Sequence, residues 1–507
     1  MPEPLPASLA KVDPAAAWAA WEPTAATPWD RKWVAHLYRR AAFGPTPADT
    51  DRALADGFPK TLARLLAGEP DAAAWLDVFT DTGRYLKDDL QLRVWWLSVM
   101  LQGGHPLREK LTLFWHNHFA TSYAKVRRTR LMMEQNVTLR AHALGKFRPL
   151  LLDMSRDTAM LVWLDSNQNV AAAPNENYAR EVMELFSLGV GNYTEADIRA
   201  AARAFTGWHT DTHPDPGWDD LTFRFKPDQH DPGEKTIFGH TGAFGGADVI
   251  RLCADRPACA TFLVGKLYAF FVSETPPPKS ILEPLADRFR KSDYDVADLV
   301  KTMLGSRLFF SEHAYRKRVK WPVEYALGAV RAVVPGRVPL GDLTDPLAKM
   351  GQTLFAPPNV KGWRTGTDWL NSATLLARNN FAETVATGNW PRTPPPNPNA
   401  GTVKTATFKD GPGELPPDPP APAPDAPFDP AVTLFATKPA TVAAVVGRMG
   451  DVLYGADLPP AARKKIEAFL LDGRKTAGEK DLDNPAFRVK TREALHALMC
   501  LPEYQLA

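Results

Sequence analysis

The run Pro174-Asn175-Glu176-Asn177-Tyr178-Ala179-Arg180-Glu181-Val182-Met183-Glu184-Leu185-Phe186-Ser187-Leu188-Gly189 continues through Tyr193-Thr194-Glu195-Ala196-Asp197 and closes with Ala204-Phe205-Thr206-Gly207-Trp208. It predicts two helices. The first starts where Asn175 or Asn177 can accept from the free N–H groups of a first turn. It stops at Gly189, which tolerates left-handed backbone past a helix end. Val182, Leu185 and Phe186 make an apolar stripe. Asn177, Glu181, Glu184 and Leu188 follow helical spacing along a neighbouring stripe, which puts both carboxylates on one face. Arg180 stands one turn before Glu184, within pairing reach. The second helix opens with Thr194 as N-cap and Asp197 three residues on, then runs through Arg199 and Arg203 to Gly207.

Outward from this pair, helical patterns dominate. Trp29 to Leu65 reads as two helices, the second opened by Thr46-Pro47-Ala48-Asp49, with a cap, a Pro at the first position and an acid at the third. Lys87–Gln102 and Pro106–Ala120 follow, and a further long helical pattern runs to Leu152. The period changes at Thr222-Phe223-Arg224-Phe225, which alternates. Lys235-Thr236-Ile237-Phe238 comes after a Pro232-Gly233 turn, so a hairpin is expected at about 221–240. The Gly-rich stretch from Gly239 to Gly246 reads as a loop. Residues 391–430 hold 14 prolines and few large apolar groups, a composition that cannot pack.

The expected architecture is therefore mainly α: a multi-helix globular core with a small β-hairpin insertion and a Pro-rich disordered loop. Residues 1–28 are expected to be a flexible lead and 29–385 the helical core. A Pro-rich linker spans 386–435, and a helical segment over 436–507 packs back on the core. At 507 residues the chain can bury a large core, and 45% apolar with 23% charged residues is ordinary for a globular protein. A net charge of +2 gives no global pull toward nucleic acid. The longest apolar stretch, Leu92–Leu101, is half of what a membrane span needs. The N-terminus lacks the basic start and apolar run of a signal peptide, which points to the cytoplasm. Cys253, Cys259 and Cys500 are odd in number and lack C-x-x-C spacing, so neither a disulfide framework nor a cysteine zinc site is expected.

The residues suited to chemistry fall in three places. Leu111 to Phe119 carries His116 and His118, which on a continuous helix point roughly 200° apart and share a metal only if the helix ends between them. Asp165, Asn167, Asn175, Glu176 and Asn177 crowd ahead of Glu181 and Glu184, and are oxygen donors suited to a hard divalent cation; an added imidazole would suit Zn, Mn or Fe. Pro227 to Lys235 places His230 and Asp231 on a turn. Each has a bland counterpart: a buried core histidine, surface acids paired with Arg180, a turn-starting aspartate. Two acids can also work without metal, one protonated and one ionised. Two basic runs, Lys125 to Arg130 and Arg316 to Lys320, read either as solvated faces or as contacts converging on one anion. Trp208, Trp218, Trp363 and Trp369 sit near turns where a sugar ring can stack. No G-x-S-x-G, P-loop or kinase pattern is present.

At several blocks the chain resembles a bacterial family known only as domain of unknown function number 1800. The blocks are Arg39 to Gly44, Phe114-Trp115-His116-Asn117-His118-Phe119, Met160 to Asp165, Pro174 to Gly189, Thr194 to Trp208, His230 to Lys235, Gly245 to Asp248, Pro357-Pro358-Asn359-Val360-Lys361-Gly362-Trp363 and Leu501 to Gln505. The resemblance implies a large, mainly helical bacterial protein, often exported to the periplasm or beyond. Such proteins are often encoded beside a sulfatase-like family numbered 1501, a partner that hints at an anionic or sugar-derived ligand.

The leading expectation is a metal-dependent hydrolase acting on an anionic or carbohydrate-related substrate. Its divalent ion (Zn, Mn, Fe or Ca) would be held by His116, His118, Glu181, Glu184 and Asp165. His230, Asp231 and Glu181 would move protons. Arg180, Arg203, Asn177, Trp208 and Lys235 would bind substrate. The alternatives are a non-catalytic binding or assembly protein whose polar cluster is a structural network, and a carbohydrate-binding protein.

Overall fold

The computed structural model describes residues 5–212, 221–334, 340–390, 430–437, 439–472, 482 and 484–507, and these are mainly helical. The helix starts follow from local capping chemistry. Asp30 accepts from the N–H of Trp33, and Asp157 from that of Met160. Thr46 with Asp49 and Thr194 with Asp197 form reciprocal capping boxes. The region Trp29–Leu65 holds three helices rather than two: Arg31–Ala41, Pro47–Asp56 and Phe58–Ala67. The extra break falls at Gly57, whose φ of 76° only glycine adopts without strain.

Two small antiparallel sheets interrupt the helices. Strand β1 (Trp208–Thr212) pairs with β2 (Leu221–Phe225), Trp208 opposite Phe225, and β3 (Lys235–Ile237) pairs with β4 (His240–Gly242). The expected pairing of the 222–225 run with the 235–238 run is thus corrected. Alternation identifies a strand but not its partner, and the turn between the two runs is pinned elsewhere. Part of the stretch read as a Gly-rich loop supplies β4.

One continuous apolar core extends from Val12 to Tyr504. The described part of the N-terminal lead, residues 5–28, is docked rather than free. Asp13 caps the short helix Pro14–Trp18, Trp18 Nε1 donates to Ile281 O at 2.6 Å, and Trp21 stacks on Phe310. The C-terminal segment closes over the same core: Tyr325 Oη donates to Met499 O at 3.2 Å, and Arg378 Nη1 to Gln505 Oε1 at 3.1 Å. The Pro-rich segment lies outside the described residues from 391 to 429, as does Trp218. Among the described residues no helix is long and apolar enough to cross a membrane.

Charge is buried at the centre of this core. Glu324 pairs with both Lys110 and Arg318, and it accepts from the N–H of Trp321 at 2.8 Å. Lys110 also donates to the carbonyls of Arg39 at 3.1 Å and Ala42 at 2.9 Å. Burial by itself would raise the Glu324 carboxyl, but the two cations outweigh it and hold it at about 2. The same burial pulls Lys110 down to about 7. The basic run from Arg316 to Lys320 is therefore no solvated face. Arg318 and Lys320 are interior bolts, Lys320 donating to Tyr504 O at 2.6 Å.

Candidate functional site

The segment from Asn175 to Gly189 begins as expected, Asn175 Oδ1 accepting from the N–H of Asn177 at 2.9 Å. It then departs from a regular α-helix. A short α-helix Asn177–Glu181 passes into a π-helical turn Val182–Ser187, where the N–H of Leu188 reaches back to Met183 O at 2.9 Å, and the chain leaves through Gly189 at φ 79°. A π-turn inserts an extra residue and re-aims the side chains around it, and such turns concentrate at functional sites. Val182, Met183 and Phe186 go into the core. Glu181, Glu184 and Leu185 stay half-exposed.

The two glutamates are unequal. Glu184 accepts from Tyr193 Oη at 2.8 Å, and burial first, with this bond second, raises the Tyr193 hydroxyl to about 12. Glu181 has no hydrogen bond or ion pair among the described residues. Its carboxyl is raised by burial first and by the charge of Glu184 second, and Lys361 and Arg180 only partly oppose that rise. At the far end of the π-turn stands Lys266. Its Nζ is 2.9 Å from His118 Nδ1 and 3.5 Å from Leu185 O. His118 Nε2 lies 2.9 Å from Phe186 O, so that nitrogen must donate, which leaves Nδ1 as the acceptor for the lysine. Burial lowers Lys266 to about 8 and, with Lys266, holds His118 well below its ordinary value.

The other expected site residues are distributed elsewhere. The helix Pro106–His118 runs unbroken through both histidines and sends them apart. His116 lies among Trp96, Phe355 and Trp363, each about 5.3 Å away, with neither ring nitrogen partnered, and burial lowers it to about 3. Asp165 pairs with Lys125 at 2.8 Å. Arg180 turns away from Glu184 to bridge Glu176 at 3.1 Å and Glu195 at 2.8 Å. Asn177 is exposed, and Trp208 is buried in β1. Its ring presses on Gly246, where a Cβ would meet it at 2.5 Å.

The His230 loop is bolted to the end of the helix Glu195–Ala204. His230 Nδ1 is 2.9 Å from Thr206 O, and the N–H of Asp231 donates to Thr206 Oγ1 at 2.8 Å. Arg203 clasps Asp231 at 2.6 Å, and Lys235 donates to the carbonyls of Asp231 and Gly233 at 2.6 and 2.8 Å. Arg203 and Lys235 thus spend their donors inside the loop. This is also why the two strand runs flanking it do not pair with one another.

The structure brings together Glu181, Glu184 and Tyr193, and separately Arg203, His230, Asp231 and Lys235. The five expected metal ligands do not assemble: both nitrogens of His118 are engaged, His116 faces an aromatic box, and Asp165 has its own lysine. Among the described residues no group of three or more histidine, cysteine, aspartate or glutamate side chains is placed to hold a metal ion. Sequence reasoning missed Lys266. The signal for it was a single cation inside the most apolar helix, Pro257–Phe271, flanked by Leu263, Val264 and Leu267.

A mainly helical protein with a half-buried acid pair where a short α-helix passes into a π-turn is the class that fold and site define. A family model described as a protein of unknown function, DUF1800, matches residues 36–506, and the chain belongs to that family. Neither the curated proteins nor the solved structures contain a match to it.

Proposed function

We propose that this chain is a hydrolase for an anionic or carbohydrate-related substrate, with Glu181 and Glu184 as its acid–base pair. One observation carries the reading: two neighbouring carboxyls in unlike environments, Glu184 tied to Tyr193 and Glu181 unpartnered and raised. Two carboxyls held in unlike environments can take different parts in proton transfer. Lys266, lowered toward neutrality at the other end of the turn, is a second group able to exchange a proton near physiological pH. A panel of p-nitrophenyl glycosides, uronides, sulfates and phosphates tests the reading. Turnover abolished by Glu181→Gln is expected. No turnover of any member, or turnover that survives this change, overturns it. Elemental analysis of the wild type beside the Glu181→Gln/Glu184→Gln variant serves as a second arm. A near-stoichiometric divalent ion lost in the variant would make the pair part of a metal centre.

The second reading, an assembly protein with a structural polar network, draws on Arg180 bridging Glu176 to Glu195 and on the Arg203–Asp231 clasp. It requires Glu181→Gln to lower the melting temperature sharply, which an unpartnered carboxyl gives no reason to expect.

A further inference from the structure

A groove of about 740 Å³ lies between the β3–β4 hairpin and the corner joining the helices Gly246–Asp255 and Pro257–Phe271. Phe238 and Phe244 wall it, with His240, Arg251, Asp255 and Arg256 around them. Phe238 is held at φ 51°, a conformation a bulky residue adopts only when its surroundings impose it. The two-residue turn between β3 and β4 imposes it, Phe238 and Gly239 both lying at positive φ, and Asp197 braces that turn by accepting from the N–H of Phe238 at 2.7 Å while also closing the capping box of its own helix.

The ring so fixed carries the Arg256 guanidinium on its face, 4.6 Å from the centroid. Among the described residues Arg256 has no ion pair and no side-chain hydrogen bond, and its Nε is buried without a partner. Arg251 is held only loosely, at 3.4 Å from Asp248 and 3.7 Å from Asp255, whereas Asp255 is committed to Arg148 at 2.6 Å. Exposed pairs of that length contribute little, so Arg251 can change partners at small cost. The groove thus offers two guanidinium groups with donors to spare, one oriented in advance by a ring, beside apolar aromatic surface.

We infer that this groove binds an acidic saccharide, its carboxylate or sulfate taken by Arg256 and Arg251 and its ring packed against Phe238 and Phe244. Planar guanidinium donors match such oxyanions two bonds at a time, and an apolar wall with a few convergent polar groups is how small-ligand sites are built. The site is distinct from the Glu181 pair and does not depend on hydrolysis there.

Calorimetric titration of the full chain tests this, with a trigalacturonate and a sulfated disaccharide as acidic probes and maltotriose and AMP as controls. Both acidic probes, or one of them, should bind, with maltotriose at least about tenfold weaker, the worth of a charge-assisted contact. Added salt should weaken binding. Arg256→Gln and Arg251→Gln should each cost about tenfold in affinity. Both should leave the melting temperature unchanged, because neither residue is a strut, and Glu181→Gln should leave binding unaltered. The inference is overturned if neither acidic probe binds, if AMP binds as well as they do, or if both arginine variants retain wild-type affinity.

Discussion

Glu324 and Glu181 are both helical glutamates with lysines nearby, yet the molecule treats them oppositely. Around Glu324 the interior supplies two cations and a backbone N–H, so burial ends in a carboxylate held at about 2. Around Glu181 burial is only partial and no donor touches the carboxyl, so the same physical cost goes unanswered and the proton is held more tightly. Burial sets the size of the desolvation penalty, and the partners decide which protonation state bears it. The first arrangement fixes helices together. The second leaves a carboxyl that holds no element in place.

The largest test of this contrast is Glu324→Gln. It strands Lys110 and Arg318 in the core and should cost about 3–5 kcal/mol in chemical denaturation. A loss under about 1 kcal/mol would break the comparison. The wild type should also show an acid limb of matching sign. The folded value lies below the ordinary 4.5, so Glu324 adds stability above 4.5 that is lost as pH falls toward about 2.

Lys266 gives the next effect, in the basic range. Its folded value of about 8 lies below the ordinary 10.5, so between these the unfolded chain binds the extra proton and stability rises with pH. Lys266→Met should flatten that rise, by roughly 2 kcal/mol across the window once solvent screening is allowed for. Denaturation midpoints measured at pH 7.5 and 10 in both proteins decide it. A slope identical in the variant would show that Lys266 is not the group responsible.

Arg180→Ala removes a half-exposed bridge to Glu176 and Glu195 and should lower stability by about 0.5–1 kcal/mol. Glu181→Gln should be the smallest change, within about 0.5 kcal/mol of the wild type in the same assay, since it removes an unpartnered carboxyl. A loss above about 2 kcal/mol there would make Glu181 a strut like Glu324 and favour the assembly reading.

Much of the local structure was legible from residues alone. Thr46-Pro47-Ala48-Asp49 and Thr194-Glu195-Ala196-Asp197 are caps because hydroxyl and carboxylate reach across only three residues, and both form as written. Gly189 ends its helix at φ 79° for an equally local reason, whereas the second helix stops at Ala204, three residues before the expected Gly207. The site was legible only in part. Glu181 and Glu184 sharing a face follows from helical spacing. The π-turn beneath them, and the lysine that meets Leu185 from 81 positions on, do not.

The sequence by itself determined the helical class, the helix caps and stops, and the presence of strand-forming runs, all properties carried by contacts a few residues long. The tertiary structure alone decided which strands pair, which arginines are spent on carboxylates and which, like Arg256, are left with donors to spare. It also decided that His118 meets Lys266 rather than a metal ligand set. Those outcomes depend on desolvation and on partners brought together from distant parts of the chain, and neither quantity exists before the core closes.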